Sequence, residues 1–504
     1  MPHHFTDDEK SKLDECLARM DDFEKRRCDL LRELEEVEAG IIETYGTYGT
    51  IYNARNPILT LPPEMTCLIF TFAQLAKPRI NEFTGDMDTY VEDGFLMEVV
   101  VSHVCRRWRS ISLGFPKLWT GFHYEANPNV DVRPLQRFDT YAERSAALPL
   151  HIWFNFLPDY GNPDNAQLVE KTIQYAQRWQ RFTMYSDGAT TAIPFHLLRD
   201  LSAPMLEYLT LVPSSIENHP DSDMITSMDP CLFKGGAPKL TYLMLGGHSV
   251  CWLPPLSNIT ILRIEWLWGP PGRFPVIELT PFLEILSLPS LNRLSLSGDI
   301  IDPFHATPIH MPNLKSFRVA DLNAVWDLLA SIRAPQLDTL IIHSLNNNAL
   351  EIPVLDTGYT FPALNTLHLL YFDYLDPQFF PALIRMTSQV TSVLLHGEST
   401  GTILHGGSAG VVWPRLKTLR CNILEEAIHE LVTFAKNRPK DLITFRILAP
   451  CLSRFDPEGL EALRAISLVV SDPWDAEEPF CPHDIGRFGP NYHPDEDCFR
   501  LDQI

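Results

Sequence analysis

The 10 cysteines of this 504-residue chain include no C-x-x-C pair, and no run of 18 apolar residues occurs in it. The first absence fits reduced thiols and argues against a paired zinc or redox motif. The second excludes a helix able to cross a bilayer. Basic residues are in deficit, with 41 Lys plus Arg against 64 Asp plus Glu and a net charge of -23. A chain so acidic is repelled by nucleic acid and by anionic membranes, so neither is expected as a partner. Residues Met1 to Asp8 carry acids where a secretory signal needs a basic start and an apolar core, so a soluble intracellular protein, cytoplasmic or nuclear, is expected. The sequon Asn258-Ile259-Thr260 has no meaning in that setting. Phosphate loop and dinucleotide fingerprint are missing too, and no cofactor is expected.

What is present is ordinary globular material, 45% hydrophobic and 21% charged, long enough for two domains or one repeat array. At its start, residues 1–50 read as a coiled-coil helix. Leu13, Cys16, Met20, Phe23, Arg27, Leu30, Leu34, Val37 and Ile41 follow one another at alternating spacings of three and four, which is a heptad seam flanked by charge. Gly40, Gly46 and Gly49 are expected to end it. The seam serves either self-association or packing within the same chain.

Further along, "LPPEMTCLIFTFAQL" opens with prolines at a first helical turn and places Glu64 at the positive end of the dipole. An apolar stripe of Met65, Leu68, Ile69 and Phe72 follows. In "VSHVCRRWRSI" a single helix would put Val101, Val104, Cys105, Trp108 and Ile111 on one face, with Arg106, Arg107 and Arg109 solvated on others. "SLGFPKLWTGF" adds Leu118 and Trp119. Short helices with this much apolar surface should meet another chain.

In order, these fragments resemble the F-box, with its L-P-x-E, I-F, V-C-x-x-W-R and L-W elements, over residues 55–122. The resemblance implies docking to the Skp-family linker protein of a cullin-RING ubiquitin ligase, and through it to a cullin. The matching positions are Leu61, Pro62, Glu64, Ile69, Phe70, Val104, Cys105, Trp108, Leu118 and Trp119. Between Leu75 and Val104 lie 28 residues, more than the motif usually has, and a surface loop is expected near 77–95.

Beyond residue 123 the chain is self-similar. L-x-x-L-x-L, with aromatic or aliphatic replacements, begins at Trp179, Leu206, Leu240, Ile259, Leu291, Leu314, Leu337, Leu364, Val390, Leu416, Leu442 and Leu463. From Leu291 onward the intervals are 23, 23, 27, 26, 26, 26 and 21 residues, close to a leucine-rich repeat. Ala-Pro, Met-Pro or Phe-Pro precedes several copies and marks entry to a strand. "NAVWDLLASIR", "DPQFFPALIRM" and "EEAIHELVTFAKN" have helical periodicity, whereas 212–282 reads as loops. The expected fold is therefore mixed α and α/β: a helical N-terminus, then an irregular leucine-rich-repeat solenoid over 179–475 with a curved parallel sheet. Residues 123–178 would connect and cap it, with a helix and a strand supplied by 135–156, and 476–504 form a polar tail. A propeller or several small domains are the alternatives.

Within each repeat the third, fifth and seventh positions share one face. They carry Arg181, Arg263, Arg293, Arg318, Arg420 and Arg446, with His343, His368 and His396, against one acid, Glu265. A basic face on an acidic protein points to a protein substrate presenting an acidic or phosphorylated segment, since guanidinium forks bind both groups bidentately.

Two enzymatic signals are weaker. "HGGSAG" places Ser408 in G-x-S-x-G, but a proline-led strand follows where a nucleophile elbow needs a helix. Cys481, His483, His493 and Cys498 are zinc ligands by type but not by spacing, so no metal is expected. The sequence thus reads as a non-catalytic adaptor, with a non-ligase interaction scaffold as the rival.

Overall fold

The computed structural model describes residues 6–53, 55–75, 96–126, 133–156, 164–186, 195–213, 224–225, 229–246, 249, 252–265, 276–298, 308–320, 325–343, 360–370, 380–396, 412–422, 428–438, 443–448, 452 and 455–472. The expected loop at 77–95, Ser408 and the four C-terminal Cys and His residues lie outside them. The chain forms two compact units, Met1–Ala76 with Phe95–Gly114, and Lys77–Gly94 with Phe115–Ile504. No helix among the described residues is long and apolar enough to cross a membrane.

The first unit is helical. Helix α1 runs over Asp7–Asn53. Its start is a capping box: the Thr6 hydroxyl accepts from the Glu9 amide at 3.3 Å while the Glu9 carboxylate accepts from the Thr6 amide at 2.9 Å. Gly40, Gly46 and Gly49 do not end it. A lone helical glycine costs only about 1 kcal/mol relative to alanine, and the hydroxyls of Thr44 and Thr50 donate back to the carbonyls of Gly40 and Gly46 at 2.8 Å. The seam therefore continues through Thr44, Tyr48 and Ile51 at the same spacing.

Helices α2 (Pro63–Leu75), α3 (Met97–Val104) and α4 (Arg106–Leu113) follow. The expected continuous helix through Cys105 is two helices. Cys105 itself is extended, at φ -157 and ψ 167, and its thiol caps α4 by accepting from the Trp108 amide at 3.4 Å. The single apolar face is accordingly split: Val101 is buried on α3, Val104 is 55% exposed, and Trp108 and Ile111 are half-buried on α4. The half-buried Trp108 meets the buried Phe70 of α2 edge-on, with ring centroids 5.1 Å apart.

Among the described residues, the second unit is built on one parallel sheet of 14 strands whose spatial order is the chain order. We number them β1 (Gly121–Glu125), β2 (Leu150–Asn155), β3 (Trp179–Ser186), β4 (Tyr208–Pro213), β5 (Tyr242–Gly246), β6 (Ile261–Glu265) and β7 (Arg293–Ser297). Then come β8 (Ser316–Ala320), β9 (Thr339–His343), β10 (Thr366–Leu370), β11 (Ser392–His396), β12 (Thr418–Asn422), β13 (Thr444–Leu448) and β14 (Leu468–Asp472). Parallel neighbours need crossovers, which here include helices Pro134–Arg144, Asp164–Ile173, Val325–Ser331, Phe380–Met386 and Ile428–Lys436. Residues 212–282 also contribute strands β5 and β6 and the start of a helix at Leu279–Leu286.

The repeating entry to a strand is a turn with proline at its second position. In Met311-Pro312-Asn313-Leu314 the Leu314 amide donates to the Met311 carbonyl at 3.3 Å. The same bond runs from Leu206 to Ala203, Leu240 to Ala237, Leu337 to Ala334, Leu364 to Phe361 and Leu416 to Trp413. Strands β4 to β13 each begin two residues after the repeat's leading residue, and neighbours pair third position to third and fifth to fifth, as Ser316 with Thr339 and Arg318 with Ile341.

Two strand assignments change. The last repeat does not begin at Leu463, which lies in the helix Pro457–Ile466; Thr444 pairs with Leu468, so Ile466 takes the leading place. The sheet also begins two strands before Trp179, because β1 and β2, expected within the F-box end and a cap, pair with each other and then with β3. Fourth- and sixth-position side chains fill a core against the helices. Phe122 of β1, for example, packs edge-on against Phe138 and Tyr141 of Pro134–Arg144 at 5.1 and 5.4 Å.

Candidate functional site

In the helical unit, α2 divides its two faces cleanly. Phe70 points into the core, while Met65, Leu68, Ile69 and Phe72, one turn apart along the other face, are exposed, Phe72 to 69%. Arg107 of α4 donates to the Leu61 carbonyl at 2.8 Å and so ties the segment before α2 to the bundle. Of the expected linker-binding residues, Pro62, Glu64, Ile69 and Val104 are exposed and Leu61, Cys105 and Trp108 are half-buried. Phe70 is core.

Leu118 and Trp119 are not part of this surface. They belong to the repeat unit and are buried there, Trp119 edge-on to Tyr141 at 5.3 Å with the Arg144 guanidinium 4.3 Å over its ring. Met65, Leu68 and Phe72, absent from the motif positions, join Ile69 in the stripe. Their spacing of three and four was the sequence signal for it.

The basic face of the sheet is mostly covered. At the fifth position Arg263, Ser295 and Arg318 stand side by side on β6, β7 and β8, and all are buried. Arg263 grips Glu265 of its own strand with a fork, Nε to Oε1 at 2.8 Å and Nη2 to Oε2 at 2.6 Å. Arg318 Nη1 reaches Oε1 at 3.0 Å and the Ser295 hydroxyl donates to it at 2.6 Å. Side-chain exposure is 0% for Arg263 and Glu265 and 1% for Arg318. Burial pushes the Glu265 carboxyl up, but the two guanidiniums and the hydrogen bonds from Arg263 and Ser295 outweigh it and hold it well below the usual carboxylate range. Arg263 and Arg318 are therefore internal structure and not surface recognition groups.

His343, His368 and Arg420 are buried as well. Burial, and then the charge of Arg420, bring the His368 imidazole down to about 3, so it is neutral at pH 7. His396 ends β11. Arg181, Arg293 and Arg446 keep part of their surface, Arg181 with its guanidinium 4.3 Å over the ring of Tyr208, its register partner on β4. Apolar side chains complete the face, with Tyr185, Val212, Tyr242 and Met244 in one buried cluster and Ile341, Leu370 and Leu394 in another.

No known family matches the sequence, and no curated protein does. Among solved structures the chain aligns with a structural-genomics protein from Bacteroides fragilis at 12% identity and a TM-score of 0.27, over 66% of this chain and 66% of that one.

Proposed function

We propose that the chain is a non-catalytic substrate-recognition adaptor of a cullin-RING ubiquitin ligase, an F-box protein whose sheet-forming unit is a leucine-rich-repeat array. The observation that carries the reading is the exposed stripe of α2, four large apolar side chains at helical spacing on a unit already closed around Phe70 and Trp108. Such a stripe is costly in water and gains by meeting an apolar partner face. Glu64 lies in the first turn of the same helix and Val104 is exposed at the end of α3, and these are motif positions of the family the sequence resembles. The partner is then the Skp-family linker.

The repeat array would hold a protein substrate and bring it to the ubiquitin-charged enzyme that the other subunits recruit. The rate gain is one of proximity. Among the arginines, Arg181, Arg293 and Arg446 retain the surface that an acidic or phosphorylated segment needs. The burial of Leu118 and Trp119 in the repeat unit favours the rival reading, a scaffold that docks no ligase.

Co-purification of the full chain with the linker separates the two. Wild type should bind, and Leu68→Arg with Phe72→Arg should lose binding while keeping its helical circular dichroism, because both side chains are exposed. Changing Trp108 is less informative, since it would loosen the Phe70 core. A folded wild type that does not bind makes the chain a scaffold.

A further inference from the structure

Among the described residues nothing covers helix α1, and every residue from Thr6 to Tyr48 is exposed. At 1.5 Å per residue its 47 residues span about 70 Å. Along it runs an apolar seam, broken by one charge, in which Leu13, Met20, Phe23, Leu30, Leu34 and Ile41 are 45 to 61% exposed. The one charge in the seam, Arg27, and the charges beside it restrict what can lie there.

We propose that the seam is occupied by α1 of a second copy of this chain, running antiparallel, with Arg27 of one copy opposite Leu30 of the other. In heptad terms Leu13, Met20, Arg27 and Leu34 are a positions, Cys16, Phe23, Leu30 and Val37 are d positions, and Arg19, Arg26 and Glu33 are g positions. A parallel, in-register pair would set Arg27 against Arg27 inside the seam. It would also face Glu33 with Glu38 of the other copy, twice by symmetry, a like-charge contact that cancels the Arg19–Glu24 attraction. Turning one helix round removes both conflicts. Leu34 then meets Phe23, Met20 meets Val37, Ile41 meets Cys16, and Arg26 faces Glu33 of the other copy, again twice.

Sliding the antiparallel pair by one heptad either way brings Glu33 onto Glu33 or Arg26 onto Arg26. It also shortens the overlap, which in the proposed register covers nearly the whole helix. The same argument disfavours a higher parallel bundle, where several copies of Arg27 would gather in one layer.

Sedimentation velocity on the full chain tests this. Wild type is expected to be a dimer, and Leu30→Lys with Leu34→Lys a monomer whose repeat unit still unfolds at the wild-type temperature. Glu33→Arg alone, and Arg26→Glu alone, should each weaken the dimer roughly tenfold, and the two together should restore it. Glu33→Arg would instead strengthen a parallel pair by facing Glu38, so a tighter dimer overturns the orientation. A wild type that stays monomeric, or a dimer indifferent to the seam variant, overturns the proposal, because the occupant would then be another protein or the interface another surface.

Discussion

Glu265 shows how strongly one side chain can constrain this sheet. It is a buried carboxylate between two buried guanidiniums, and removing its charge would take from both a counter-ion that they share in a dry environment. Glu265→Gln should therefore destabilise the repeat unit by about 3 to 5 kcal/mol, seen as a lower urea midpoint. Arg318→Met should cost less, because the bidentate Arg263–Glu265 pair survives it. His368 is held deprotonated as well, but in its neutral form. Its imidazole is held neutral, down from an ordinary 6.5 to about 3, so an unfolded chain takes up a proton that the folded chain refuses. That contribution is complete above pH 6.5 and is lost as pH falls toward 3; His368→Gln should flatten the fall in urea midpoint between pH 6.5 and 4. The sequence offered a clue to the trio, since Arg263-x-Glu265 puts opposite charges on one face of one strand. Alternation says which residues share a face but not whether that face is covered, and so the arginines look like a surface until their burial is known.

At the level of elements, strands such as β4, β5, β8, β9, β10 and β12 are legible because each is announced twice, by proline at the second turn position and by the leucine that follows. Leu463 is misleading because Leu463, Ile466 and Leu468 reproduce the L-x-x-L-x-L spacing across the end of a helix, whereas the turn before the strand that starts two residues after Ile466 has no proline. β1 and β2 were overlooked as repeats because "GFHYE" and "LHIWFN" alternate without the leading motif. Cys105 is the counterpart among helices. Helical spacing persists across it, and only the extended backbone at that residue separates α3 from α4. Replacing the thiol with a side chain that cannot accept, Cys105→Val, should destabilise the helical unit by about 1 kcal/mol. Cys105→Ser, a better acceptor, should match or exceed wild type in thermal denaturation.

On the scale of the whole molecule the two units have different kinds of core. The helical unit closes around a few side chains such as Phe70, Trp108 and Val101, whereas the repeat unit spreads its burial along 14 strands, each supported chiefly by its neighbours. Small cores are marginal and stacked arrays gain stability with every added neighbour contact. The two should thus unfold separately, the helical unit first. Phe70→Ala, which empties a fully buried aromatic site and should cost about 3 to 5 kcal/mol, is expected to lower only the earlier calorimetric transition, and Glu265→Gln only the later one. Combined, they should add, because the substituted sites belong to different compact units. A single transition that both variants lower together would mean that the units stabilise one another, and a change in the exposed stripe of α2 would then also be felt by the repeat unit.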